Sequence, residues 1–157
     1  MHERMERQFK ILKLYLPIRG HILEALEDKD LDFRPEKLSP FADIFVQLGE
    51  WQGAYLEGFR TFNQDFSYRN EDPSRAKSIA KLRAWYEEMD KEIQAAIEAM
   101  SDEDVEGRGI ERGGWQASVE WNLRIWQECL IIFFTKTLFY FKLMDKELPE
   151  SLGKWID

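Results

Sequence analysis

The chain has 157 residues, of which 44% are hydrophobic and 33% are charged, a balance that excludes an intrinsically disordered segment. Its formal net charge of −8 disfavours nucleic acid as a partner, because a phosphate backbone repels an acidic surface. A single cysteine excludes an intramolecular disulfide, and the N-terminus lacks the apolar core of a secretory signal. We therefore expect one cytoplasmic globular domain over residues 1–157.

The first predicted helix carries apolar residues at spacings of three, four or seven on one face. Pro17 lies inside this pattern, so we expect a kink over residues 15–17 rather than two separate helices. Arg19 falls on the apolar stripe, where a guanidinium must either extend to solvent or meet a carboxylate. An acidic run at 27–30 ends the helix, and residues 31–38 are predicted to form a loop.

A second helix is predicted to begin at Ser39-Pro40, because a hydroxyl cap followed by proline at the first helical position is typical of a helix start. Its apolar stripe predicts an end near Phe62. Gly49 and Gly53 lie four residues apart inside it. We interpret both glycines as points of close backbone packing against a neighbouring helix.

The third helix is predicted to begin at residues 72–74, where an aspartate precedes a proline. Its late carboxylates, over 87–98, are interpreted as a solvated acidic face because no histidine accompanies them. Residues 101–118 contain several glycines and many charges, which predicts a long mobile loop. The pattern for a short strand over 109–112 is weak.

The last helix is the most apolar, and we expect Ser118 to cap it and the helix to cover about 119–144. Its apolar runs at 130–134 and 138–141 cover the whole circumference. Charged residues interrupt the stretch, which excludes a membrane span. Two interpretations remain: the helix is central and buried all round, or its outer face packs on a second subunit. We favour a symmetric homodimer.

Several short motifs follow one another in a characteristic order. A loop contains Arg34-Pro35, the second helix carries Gln47-Leu48, and the last helix closes on Leu148-Pro149. This order resembles the DinB/YfiT-like superfamily along nearly the whole chain. Four predicted helices without a credible sheet indicate an all-α four-helix bundle. The resemblance implies an up-down-down-up bundle with a long loop before the last helix.

Many members of this superfamily bind a divalent metal through three histidines, one on the second helix and two spaced i, i+4 on the fourth. The resemblance places those positions at Gln47, Cys129 and Phe133 in this chain. The sequence holds just two histidines, His2 near the N-terminus and His21 on the first helix. The family's metal site is therefore expected to be degenerate, with no cofactor and no catalytic residue.

Three functional hypotheses follow. The favoured one is a non-catalytic dimeric binding or interaction module. A second is a metal-dependent hydrolase or thiol S-transferase of the family type, in which Glu50, Glu128 and Cys129 hold zinc or nickel as substituted ligands. A third is a small-molecule binder with an apolar cavity between helices, walled by Trp51, Trp126 and Phe133. The candidate pocket comprises Arg19, Gln47, Glu50, Trp51, Trp126, Glu128 and Cys129.

Overall fold

A computed structural model describes residues 1–154, most of which lie in helices. The helices are α1 (Glu3–Glu24), α2 (Phe41–Thr61), α3 (Ile79–Glu98), α4 (Asp102–Gly107), α5 (Val119–Leu143) and α6 (Glu150–Gly153). Two strands, β1 (Gly109–Glu111) and β2 (Gln116–Ser118), pair in an antiparallel hairpin. The mostly helical architecture agrees with the predicted all-α class. None of the helices in residues 1–154 combines the length and apolar character needed to cross a membrane.

The two N-terminal long helices begin and end close to the predicted positions. Helix α1 continues through Pro17 as one helix, as expected. Helix α2 ends at Thr61, where Phe62 adopts a left-handed conformation with φ of 59°. The predicted cap at Ser39 is wrong by one residue, because Pro40 occupies the N-cap position. The carbonyl of Ser39 instead accepts a hydrogen bond from the Tyr140 hydroxyl of α5 at 2.7 Å.

The predicted start of the third helix is wrong by several residues. Residues Pro73–Lys77 form a separate 3₁₀ turn, capped by Asp72. Ser78 then adopts an extended conformation and caps α3 by accepting from the Lys81 amide. The amide of Ile79 donates to the Asp28 carboxylate at 2.8 Å, so a distant residue also helps to set the start of α3.

The prediction of a long mobile loop over 101–118 is also wrong. Ser101 and Asp104 form a capping box that begins α4. The hairpin of β1 and β2 follows, and Ile110 of β1 is fully buried. Its turn contains Gly113 and Gly114, both at positive φ, which a tight turn between antiparallel strands requires.

Helix α2 packs against both α3 and α5, while α1 packs mainly against α5. The α2–α3 contact is close at Gly49, because the Trp85 ring occupies the place where a side chain would lie. The prediction for Gly49 is therefore confirmed. The prediction for Gly53 is wrong in its partner, since the ring against it belongs to Tyr68 in the connection between α2 and α3.

Helix α5 has one buried face and one exposed apolar face. Trp126, Leu130 and residues beyond them are fully buried on the inner side. On the other side, the exposed fractions are 48% for Ile132, 61% for Phe139 and 54% for Leu143. The interpretation of α5 as a central helix buried all round is therefore wrong for the chain by itself, because α1 and α2 cover only part of its circumference. We call Ile132, Phe139 and Leu143 the α5 outer face.

Candidate functional site

The resemblance assigns metal ligands to Gln47 of α2 and Phe133 of α5, of which Gln47 is exposed and Phe133 is buried. Gln47, Trp51 and Phe133 line a gap with no space for a water molecule. Phe133 is 2% exposed, and its ring packs edge-on against Phe45 with centroids 5.3 Å apart. The Lys136 ammonium donates to the Gln47 side-chain oxygen at 2.8 Å and lies 5.2 Å from the centre of the Trp51 ring. An aromatic ring and a cation thus occupy this region.

Cys129, the third position to which the resemblance assigns a ligand, contacts another part of α2. Its Sγ lies 3.6 Å from the Tyr55 hydroxyl, two helical turns along α2 from Gln47. Burial raises the pKa of the Cys129 thiol, and the Tyr55 hydrogen bond and the positive charge of Arg112 offset this only in part. A metal must displace the thiol proton to bind, so a raised pKa lowers the affinity of Cys129 for a metal at neutral pH.

The carboxylates proposed as substitute ligands lie apart from one another. Glu50 accepts a hydrogen bond from the Asn70 amide at 3.0 Å. Glu128 is exposed and pairs with Arg124 on its own helix at 3.5 Å. Throughout the described residues, no group of three His, Cys, Asp or Glu side chains is placed to hold a metal ion. With Phe133 lacking a donor atom as well, the residues of this region do not fit the family's metal.

The two histidines have local partners. His2 caps α1 by accepting from the Arg4 amide, and its ring lies 3.4 Å from the Glu106 carboxylate. His21 is exposed on the helix flank, as expected, with its Nδ1 atom 2.9 Å from the Ser151 hydroxyl.

Arg19 belongs to a closed hydrogen-bond network in the core. It is 3% exposed, and its Nη2 atom forms an ion pair with Asp90 Oδ2 at 2.5 Å. Its Nη1 atom donates to Gln52 at 2.8 Å, and the Gln52 amide in turn donates to Asp90 at 2.6 Å. The guanidinium carbon lies 4.3 Å from the centre of the Tyr86 ring. Of the two alternatives expected for Arg19, extension to solvent or a carboxylate partner, the structure shows the carboxylate. The network ties α1 to α2 and α3.

A second arginine, which the sequence did not single out, lies at the other end of the α2–α5 contact. Arg112 follows β1 and donates through Nη1 to Asn122 of α5 at 2.8 Å. Its Nη2 atom donates to the Tyr55 hydroxyl of α2 at 3.4 Å. The guanidinium carbon lies 5.0 to 5.6 Å from the ring centres of Tyr55, Phe66 and Trp115.

Two buried donors beside Arg112 have no hydrogen-bond partner within residues 1–154. They are Asn122 Nδ2 and Trp126 Nε1, and both residues are 0% exposed. Trp126 packs against Tyr55 with ring centroids 5.4 Å apart, one helical turn after Asn122. Buried polar atoms are usually paired, so two unmet donors in one place are unusual. We call Tyr55, Phe66, Arg112, Trp115, Asn122 and Trp126 the Arg112 cluster.

The seven residues of the predicted pocket do not line one cavity. Gln47, Glu50 and Trp51 share a cleft of about 250 Å³ with Phe66 and Arg69. The others are distributed as described above: Trp126 and Cys129 meet at Tyr55, while Arg19 lies in the core network and Glu128 faces solvent. One feature of the sequence could have indicated the Arg112 cluster: Asn122 lies one helical turn before Trp126 in an apolar helix. The position of Arg112 could not be predicted from the sequence, because the hairpin of β1 and β2 places it.

Comparison with known families identifies the family of this chain. Residues 20–127 match the family model described as the DinB superfamily. No curated protein and no solved structure matches the chain. Gln47 lies inside the matched residues, whereas Cys129 and Phe133 lie just beyond them. The match covers more than half of this chain, so the chain belongs to the DinB superfamily.

Proposed function

We propose that this chain is a DinB-superfamily protein that has lost the family's metal site and acts as a non-catalytic, dimeric binding module. The observation that carries the proposal is the Lys136 ammonium, which donates to the Gln47 side chain at 2.8 Å. A positive charge at this point repels a divalent cation. Phe133 fills a second family position with a ring that has no donor atom, and the raised pKa of Cys129 weakens the third as a ligand.

Metal content tests this proposal directly. The chain is produced with zinc, nickel and manganese in the medium, dialysed against metal-free buffer and analysed by mass spectrometry of its elements. We expect far less than one metal ion per chain. A chain that retains about one ion per molecule, as a site with three protein ligands does, would overturn the proposal.

A matched variant provides the positive control. Gln47→His, Cys129→His and Phe133→His together place imidazoles at the three family positions, and Lys136→Met removes the competing charge. We expect this fourfold variant to take up about one metal ion per chain, because three imidazoles are a sufficient ligand set.

The proposed dimer uses a groove between the start of α2 and the end of α5, with a volume of about 640 Å³. Leu38 and two residues of the α5 outer face, Phe139 and Leu143, line the groove and are each more than 40% exposed. Asp43 of α2 and Lys142 of α5 lie along the same groove with opposite charges. We propose that a twofold axis pairs Asp43 of one copy with Lys142 of the other, which makes a second copy of this chain the occupant of the groove.

Mass in solution tests the dimer. We expect light scattering to give twice the chain mass, and Phe139→Asp to give the mass of one chain, because it places a carboxylate in the apolar interface. Leu14→Asp is the matched control, since Leu14 is 64% exposed on α1 and outside the groove. A monomeric unaltered chain at about 100 μM, a concentration that populates dimers of micromolar affinity, would contradict the dimer.

We also infer the up-down-down-up order of the four long helices. The order of the contacts along each helix supports a parallel arrangement of α1 with α5 and of α2 with α3. It supports an antiparallel arrangement of α2 with α5. The supporting pairs are Gln8–Gln127 and Tyr15–Phe134, then Phe45–Tyr86 and Gln52–Asp90, and finally Phe45–Phe133 and Tyr55–Trp126.

A further inference from the structure

Arg112 is a cation with unused hydrogen-bonding capacity. A guanidinium has five N–H groups, and Arg112 uses one on Asn122 and one, at the longer distance of 3.4 Å, on Tyr55. The ion pairs formed within residues 1–154 do not include Arg112. Its positive charge is therefore not neutralised by a carboxylate of the described chain, and N–H groups remain for an external acceptor.

Aromatic rings surround this cation and remain partly open to solvent. Phe66 is 44% exposed and Trp115 is 45% exposed, although both rings lie within 6 Å of the guanidinium carbon. Trp121, also 45% exposed, packs edge-on against Trp115 with centroids 5.2 Å apart. Large exposed rings beside a cation offer a flat apolar surface to a ligand.

The buried part of the Arg112 cluster has donors without acceptors. Asn122 uses its side-chain oxygen on Arg112, while Asn122 Nδ2 and Trp126 Nε1 have no partner in the described residues. Leaving a buried donor unmet costs about 1–3 kcal/mol. These two donors are sealed from solvent, whereas Arg112 is half-buried, so an external group with acceptor oxygens and one negative charge would meet the free N–H groups of Arg112.

We propose that the Arg112 cluster binds a small monocarboxylate with a flat aromatic body. The carboxylate oxygens accept from the free N–H groups of Arg112, in the paired geometry that guanidinium favours. The body of the ligand packs on Phe66 and Trp115. A dianion is disfavoured because the chain carries a net charge of −8. The inference deepens the proposed binding role and rests on it, since it names the ligand class.

Calorimetric titration of the full chain with phenylacetate tests the site. We expect saturable binding of one ligand per chain. Phenylacetamide, which has the same shape without the charge, should bind at least about tenfold more weakly, as should acetate, which lacks the ring. Arg112→Met should weaken phenylacetate binding about tenfold to a hundredfold, the range expected for losing a charged hydrogen-bonded partner.

Arg108 provides the matched control. Its guanidinium carbon lies 3.8 Å from the centre of the Phe62 ring, but it has a carboxylate partner in Asp104 at 3.6 Å. Arg108→Met should therefore leave phenylacetate affinity unchanged. Arg112→Lys keeps the positive charge without the planar guanidinium, and we expect a smaller loss of affinity than in Arg112→Met. Circular dichroism of each variant verifies that it is folded.

Absence of saturable phenylacetate binding by the unaltered chain would overturn the inference, as would equal affinity in the Arg112→Met and unaltered proteins. If Arg112→Met does not fold, unchanged affinity in Arg112→Lys would overturn it instead. Metal content is measured on the same samples. If the chain binds phenylacetate and also retains metal, the proposed loss of the metal site is refuted and this inference is not. If the chain is free of metal and does not bind phenylacetate, this inference is refuted and the proposed loss of the metal site is not.

Discussion

Arg19 and Arg112 are both arginines placed over a tyrosine ring, but their surroundings differ. Arg19 lies 4.3 Å from the centre of the Tyr86 ring, is 3% exposed and pairs with Asp90. Arg112 lies 5.4 Å from the centre of the Tyr55 ring, is half-buried and has no ion-pair partner in residues 1–154. The first charge is neutralised inside the protein, and the second is not.

The difference shows how burial separates a structural charge from one available for binding. A fully buried guanidinium loses its hydration, so a carboxylate must compensate it or the fold becomes unstable. A half-buried guanidinium keeps part of its hydration, so it remains unpaired at little cost to stability. Its free N–H groups can then serve a ligand.

The largest expected effect comes from breaking the Arg19 pair. Asp90→Asn keeps the volume but removes the charge that neutralises a buried arginine, and we expect the free energy of unfolding to fall by about 3 kcal/mol. Urea unfolding measures this change. Glu24→Gln is the control, because Glu24 forms an exposed pair with Arg83 at 2.9 Å and should contribute less than about 1 kcal/mol. Equal effects of the two substitutions would contradict the structural role of Arg19.

A smaller effect is expected at the unpaired arginine. Arg112→Met removes a half-buried charge that lacks an ion pair, but it also leaves the buried Asn122 oxygen without a donor, so the free energy of unfolding should fall by about 1–2 kcal/mol. The same urea titration measures it. A loss as large as that of Asp90→Asn would show that Arg112 is structural and would remove the contrast between the two arginines.

The smallest expected effect is on the pH dependence of Cys129 alkylation, which should respond to Arg112 and not to the Arg19 pair. Burial raises the pKa of the Cys129 thiol, while the Arg112 charge lowers it. Alkylation by iodoacetamide should therefore accelerate only above the ordinary thiol range, and Arg112→Met should move its midpoint to still higher pH. Asp90→Asn should leave the midpoint unchanged. A midpoint that falls in Arg112→Met would contradict the proposed influence of this charge.

The sign of the accompanying stability change follows from the same raised pKa. Because folding favours the protonated thiol, the unfolded chain loses this proton first as the pH rises. The contribution of Cys129 to stability is therefore constant below the ordinary thiol pKa and declines above it.

Sequence alone was enough to predict the helical architecture, to require that Arg19 either reach solvent or meet a carboxylate, and to show the scarcity of histidine. Each of these depends on local periodicity, on one residue's chemistry or on composition, all of which can be read without a fold. The capping of α5 by Ser118 was predictable for the same reason, since a cap bonds to its own helix.

Packing between distant parts of the chain sets where α3 begins, which side of α5 stays exposed and what surrounds Arg112. Asp28 reaches the start of α3 from a distant turn, and the hairpin carries Arg112 onto Tyr55 and Asn122. These features arise from contacts between residues far apart in the chain. Their free energy is gained only when several elements pack together, so no local pattern records them.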